Sequence, residues 1–180
     1  MTARSGGRIL VDQIALNGIA RVFGVPGESY LAALDAFHDT PSTTFTICRQ
    51  EGGAAMMADA WARLTGGPGI AFVTRGPGAT NASPAVHIAS QDSVPLVLIV
   101  GQIESGLRGR EAFQEVDYEA FFGPIAKWAF KIDRVERIPE LVHRAFATAL
   151  SGRPGPVVLA VPEDVLAAAA DVDDAAPVRV

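Results

Sequence analysis

The sequence predicts an α/β fold built on a mostly parallel sheet of about six strands. Two observations carry this. Short aliphatic runs, rich in β-branched residues, recur along the chain, and each is nearly continuous in apolar character rather than alternating. Strands covered on both faces read that way, as they do in parallel sheets. Between the runs lie segments with helical spacing, so strand and helix alternate.

The first helical segment is 9–19, with apolar residues at 9, 10, 14, 16 and 19. The first strand follows at 21–25 and ends in Val25-Pro26-Gly27-Glu28-Ser29. Ser29 is placed to N-cap a helix running through Leu31, Leu34 and Phe37. The second strand, 44–48, contains Cys48 as a small core residue and leads into Arg49-Gln50-Glu51. Residues 51–64 are rich in alanine and stop at Thr65-Gly66-Gly67, a helix end. On that helix Met56, Met57 and Trp61 read as packing residues.

The third strand, 69–74, runs into Arg75-Gly76-Pro77-Gly78-Ala79-Thr80-Asn81, a turn in which Thr80 or Asn81 can cap the next helix. The fourth, 95–100, ends in Gly101-Gln102. The connection 109–123 mixes charges with aromatics and reads equally as a surface crossover or a ligand-facing lid. A strand at 127–132, an amphipathic helix at 137–150 and a strand at 156–161 complete the set. After Pro162 the composition turns to alanine and aspartate, which fits a helix end followed by a linker, or a frayed terminus.

Composition narrows the function. The 180 residues are 49% hydrophobic and 19% charged, with a net charge of −5, which excludes bulk disorder. Without a Lys/Arg run the chain lacks the basic face of a nucleic-acid binder. A lone cysteine excludes an internal disulfide and a cysteine metal cluster. His38, His87 and His143 are isolated, without metal-ligand spacing. The N-terminus has no apolar signal core, and no run reaches the length of a membrane span, so a cytoplasmic protein without a membrane partner is expected.

In open parallel sheets ligands gather at the carboxyl ends of the strands. Four such ends here carry glycines beside polar groups. Glu51 is the sharpest residue, at the junction of an apolar strand and a helix opening Gly-Gly-Ala-Ala. Its position alone fits either a first-turn glutamate favoured by the helix dipole or a functional carboxylate under something packed on those small residues. The Gly76–Asn81 turn is not a P-loop, since no Gly-Lys-Ser/Thr follows, and no GxGxxG follows the first strand.

Taken together, six ordered segments resemble the N-terminal pyrimidine-binding (PYR) domain of thiamine-diphosphate-dependent enzymes of the acetolactate synthase type. They are 22–27, 49–66, 68–82, 91–102, 109–117 and 152–165, and the likeness spans about residues 8–166. The resemblance implies a three-layer α/β/α domain over 1–166, with 167–180 as a linker toward a central domain. It implies that Glu51 engages N1′ of the cofactor's aminopyrimidine. It places Pro26, Gly27, Glu28, Pro77, Asn81 and Gln114 at the cofactor, and Phe113, Gln114 and Arg75 toward a 2-oxo acid substrate. Two departures stand beside the chemistry. Many acetolactate synthases carry His where this chain has Gln50, and Ser where it has Arg75. Either a carboxylate or a subunit contact would explain Arg75.

The family binds diphosphate and Mg²⁺ through a separate domain with a Gly-Asp-Gly motif, which this sequence lacks. The resemblance therefore implies half a site here, and no metal ligand. The rest would come from the diphosphate-binding domain of a neighbouring subunit, in a homodimer or homotetramer joined partly through helix 52–64. FAD is an option for the whole protein. The alternatives are a small subunit of a split decarboxylase, or a non-catalytic dimerisation module of the same fold.

Overall fold

The computed structural model describes residues 2–179. Its main sheet has six strands, all parallel: β2 (Arg21–Gly24), β3 (Thr44–Ile47), β4 (Gly69–Val73), β5 (Leu96–Gln102), β6 (Trp128–Lys131) and β7 (Val157–Pro162). Their order is β3-β2-β4-β5-β7-β6. The α/β class and the strand number expected from the sequence are both met.

The continuous apolar character of the strands divides between two faces. In β4, Ile70 and Phe72 point to one layer, and Ala71 and Val73 to the other. In β5, Val97 and Ile99 oppose Leu96, Leu98 and Val100 in the same way. One layer holds α1 (Gly6–Leu16), α2 (Leu31–His38) and α6 (Ile138–Leu150), packed through large side chains such as Leu10, Phe37 and Phe146. The other holds α3 (Glu51–Thr65), α4 (Pro77–Gln91) and the short α5 (Tyr118–Phe122). There α3 and α4 bury mostly alanines, which brings their backbones close to the strands.

Local signals explain most boundaries. Ser5 caps α1 by accepting from the Arg8 amide at 3.1 Å, so the helix starts and ends three residues earlier than expected. Gly66 closes α3 at φ 75°, and its amide returns to the Ala62 carbonyl. Pro84 lies inside α4 and cannot donate to the Thr80 carbonyl. The Ser83 hydroxyl takes that carbonyl instead, at 2.8 Å.

Three expectations are corrected. Ser29 does not cap α2. It is buried in a 3-10 turn, Glu28–Tyr30, where its hydroxyl meets that of Thr74 at 2.8 Å and its backbone packs against Gly101. Neither Thr80 nor Asn81 caps α4, because the helix already begins at Pro77 and both lie inside it. Cys48 follows β3, an edge strand, and is only half-buried. An edge strand has a neighbour on one side only, which leaves Ile47 exposed.

The C-terminal stretch is tied down. After α7 (Glu163–Ala167), β8 (Ala169–Ala170) pairs antiparallel with β1 (Arg4–Ser5). Gln13 then exchanges two hydrogen bonds with Ala175, and Asn17 accepts from the Val178 amide. Among the described residues no helix is long and apolar enough to cross a membrane.

Candidate functional site

The carboxyl ends of β2, β4, β5 and β7 and the start of α3 converge on one edge of the sheet. Glu51 is the first residue of α3, and Gln50 caps that helix by accepting from the Gly53 amide at 2.8 Å. Gln50, a departure noted in the sequence, is thus committed to its own helix end. The Glu51 carboxyl is half-buried, and its Oε2 accepts from the Asn81 amide nitrogen at 3.0 Å. The bond links the first turns of α3 and α4.

Small residues keep the surroundings of Glu51 open. A methyl group on Gly78 would lie 3.6 Å from Glu51 Oε1 and 2.8 Å from Thr74 Cγ2. A methyl on Gly52 would lie 2.9 Å from the Asn81 carbonyl. Close approach here therefore requires glycine. Nearby, burial first and the Glu51 charge second push the Tyr30 phenol well above its ordinary range.

The Gly76 turn is a second fixed point. Gly76 has φ 62° and ψ −119°, and its amide donates to the buried Tyr118 hydroxyl at 2.6 Å. A methyl on Gly76 would lie 2.7 Å from Gln114 Cβ. Gln114 itself has φ 65°. The connection from 109 to 117 is therefore packed onto the β4 end rather than running free over the surface. Glu115 braces it by accepting from the Gly109 and Ala112 amides, which hold its carboxyl below the usual range, the Gly109 bond contributing most.

Arg75 links three strand ends. Its Nη2 donates to Glu28 Oε1 at 2.6 Å and its Nη1 to Glu163 Oε2 at 3.4 Å. The side chain is 11% exposed, against 68% for Glu28. Its Nε is buried and has no hydrogen-bond partner. A cavity of about 150 Å³ lies beside it, lined by Ile103, Ala112, Phe113 and Glu163 among others.

The expected residues thus fall into linked groups. Glu51 pairs with Asn81, Arg75 with Glu28, and the Gly76 turn with Gln114. Phe113 is 76% exposed at the cavity rim, and Pro77 is exposed at the start of α4. Gly27 packs on Thr74. Pro26 stands apart, lining a groove with Phe37, Phe45 and Ile47 between α2 and β3. A further cavity, of about 270 Å³, lies under the 104–119 connection and contains none of the expected residues. The sequence reading missed Glu163 and Tyr118. The first follows a strand end directly, which is a usable signal; the second sits in a connection whose path periodicity does not reveal. Among the described residues no cluster of His, Cys, Asp and Glu could hold a metal ion.

The residues fit one part of a thiamine cofactor. A carboxyl with one oxygen bonded to Asn81 and the other beside Gly78, which Thr74 keeps free of a side chain, can meet a ring nitrogen. Comparison with known proteins identifies the family. The family model described as thiamine pyrophosphate enzyme, N-terminal TPP binding domain, matches residues 4–121. The acetolactate synthase isozyme 3 large subunit of Escherichia coli (strain K12) is 42% identical over 166 residues, covering 92% of this chain and 29% of that protein. The mitochondrial acetolactate synthase catalytic subunit of Saccharomyces cerevisiae is 38% identical over 164 residues, covering 91% and 24%. The chain thus spans less than a third of the length of these relatives. Sheet order, strand-end glycines and a family match that runs from β1 into α5 lead to one conclusion: this chain belongs to the N-terminal TPP-binding domains of the thiamine pyrophosphate enzymes.

Proposed function

We propose that this chain is the pyrimidine-binding half of a thiamine-diphosphate active site in an enzyme of 2-oxo acids, acetolactate synthase-like in type, and that Glu51 is its catalytic residue. The observation that carries the reading is the Glu51 carboxyl, anchored by Asn81 at 3.0 Å through one oxygen, with the other beside Gly78.

Thiamine diphosphate, when bound, supplies an acidic ring carbon that attacks the substrate carbonyl and accepts the electrons left by decarboxylation. Glu51 holds and shares a proton at the aminopyrimidine nitrogen N1′. Asn81 fixes the carboxyl so that Oε1 remains available. Aspartate would fall one methylene short, and glutamine could not cycle the proton. Gly27, Pro77 and Gln114 shape the wall around the pyrimidine, while Phe113 and Arg75 face the substrate. Mg²⁺ and the diphosphate are held by a separate domain of a neighbouring subunit, so a complete site needs at least two subunits, one of them supplying that domain. The stretch 167–179 leads from this domain toward the rest of the protein.

The test is Glu51→Gln in the full-length protein, assayed with pyruvate, thiamine diphosphate and Mg²⁺. Positioned acid–base groups contribute about 10²–10⁴-fold. A kcat loss in that range is expected, with the fold retained because Gln can still accept from Asn81. Unchanged turnover would remove Glu51 from the chemistry.

A further inference from the structure

We propose that Arg75 is the receptor for the carboxylate of the substrate acid, and that Glu28 holds it in the unliganded state as a displaceable internal competitor. The inference rests on the reading of the chain as part of a 2-oxo acid enzyme, and adds which residue takes the acid group and what it must displace.

The hydrogen bonds of Arg75 are incomplete in a specific way. A guanidinium presents two edges to carboxylates: Nη1 with Nη2, and Nε with Nη2. Glu28 accepts from Nη2, the nitrogen shared by the two edges, at 2.6 Å and leaves Nε untouched. The neighbouring Nε is buried and unpaired. A buried donor without an acceptor is costly, and a residue serving only to tie loops together would be expected to satisfy it. A carboxylate placed squarely on that edge supplies both acceptors at once.

The two glutamates differ in how firmly they are held. Glu28 is 68% exposed and lies on a three-residue 3-10 turn, so its release returns a carboxylate to water at small cost. Glu163, 3.4 Å from Nη1, stays in place and keeps the buried cation partly neutralised. The cavity of about 150 Å³ beside Arg75 suits a carboxylate on a short carbon chain, and exposed Phe113 stands at its rim. From Arg75 the backbone runs through Gly76 and Pro77 to Gly78, which leaves open the space beside Glu51. The segment that carries Arg75 thus continues, three residues on, to the glycine beside the proposed catalytic carboxyl.

The test uses the full-length protein and isothermal titration with two unreactive probes: oxamate, a carboxylate of pyruvate size, and oxamide, its uncharged counterpart. Removing the competing charge with Glu28→Gln is expected to tighten oxamate binding by up to about fivefold and leave oxamide unchanged. Arg75→Lys keeps the charge but loses the fork, and is expected to weaken oxamate about tenfold or more. If Glu28→Gln binds oxamate no better than the parent protein, the competitor role is overturned. If Arg75→Lys binds oxamate normally, or no variant binds it, the receptor itself is overturned. Failure of the underlying reading looks different: oxamate affinities shift as stated, yet no 2-oxo acid is turned over.

Discussion

Replacing Tyr118 by Phe isolates one hydrogen bond at the centre of the site. The ring stays, so no cavity forms and the contact with Phe122, at 6.2 Å between centroids, is kept. What disappears is the acceptor of the Gly76 amide, bonded at 2.6 Å in a buried position. An orphaned buried donor costs about 1–3 kcal/mol. For a chain of this size each kcal/mol lowers the melting temperature by about 2–4 °C, so a fall of about 6 °C is expected for the middle of that range. Thermal unfolding followed by circular dichroism measures it, and amide exchange at Gly76 should quicken in parallel. A drop below about 1 °C, with Gly76 exchange unchanged, would refute the argument, since it would mean that the amide finds another acceptor.

Two further outcomes concern the same edge of the sheet. Gly76→Ala places a methyl 2.7 Å from Gln114 Cβ at φ 62° and ψ −119°, a sparsely populated conformation that costs alanine about 1–3 kcal/mol before the clash is counted. A larger melting loss than for Tyr118→Phe is expected, and an equal or smaller one would show that the 109–117 connection yields freely. Burial raises the phenol pKa of both Tyr30 and Tyr118 above the ordinary 10.0. Each therefore contributes stability that is complete below pH about 10 and lost as pH rises through the folded-state value. Unfolding free energy should decline above pH about 10, and the decline should shrink in Tyr30→Phe; an unaltered slope would contradict it.

The central strands were legible because burial on both faces leaves a continuous apolar signature that needs no knowledge of neighbours. The edge strand β3 shows the limit. Its sequence looks like the others, but its position exposes Ile47 and half-exposes Cys48, and position is a property of the whole sheet. Ser29 failed as a predicted cap for a related reason. Its hydroxyl is claimed by Thr74, 45 residues away, and contact at that separation overrides a local preference. Glu51 could be singled out as a strand-end carboxylate, but its bond to Asn81 joins the starts of two helices and depends on how they pack. The Arg75–Glu163 pair spans 88 residues and was invisible for the same cause.

The short ladder between β1 and β8 has a consequence for the order of assembly. Arg4 pairs with Ala170, so this contact closes a loop containing nearly the whole chain. Loop closure grows costlier with length, and two residues on each side return little for it. The β1–β8 ladder therefore forms after the six-stranded sheet has already brought both ends together. During synthesis the N-terminal residues emerge first yet must wait for residues 169–170 before their backbone groups find partners in that ladder. A chain stopped at Pro162 would hold all six parallel strands and leave β1 unpaired.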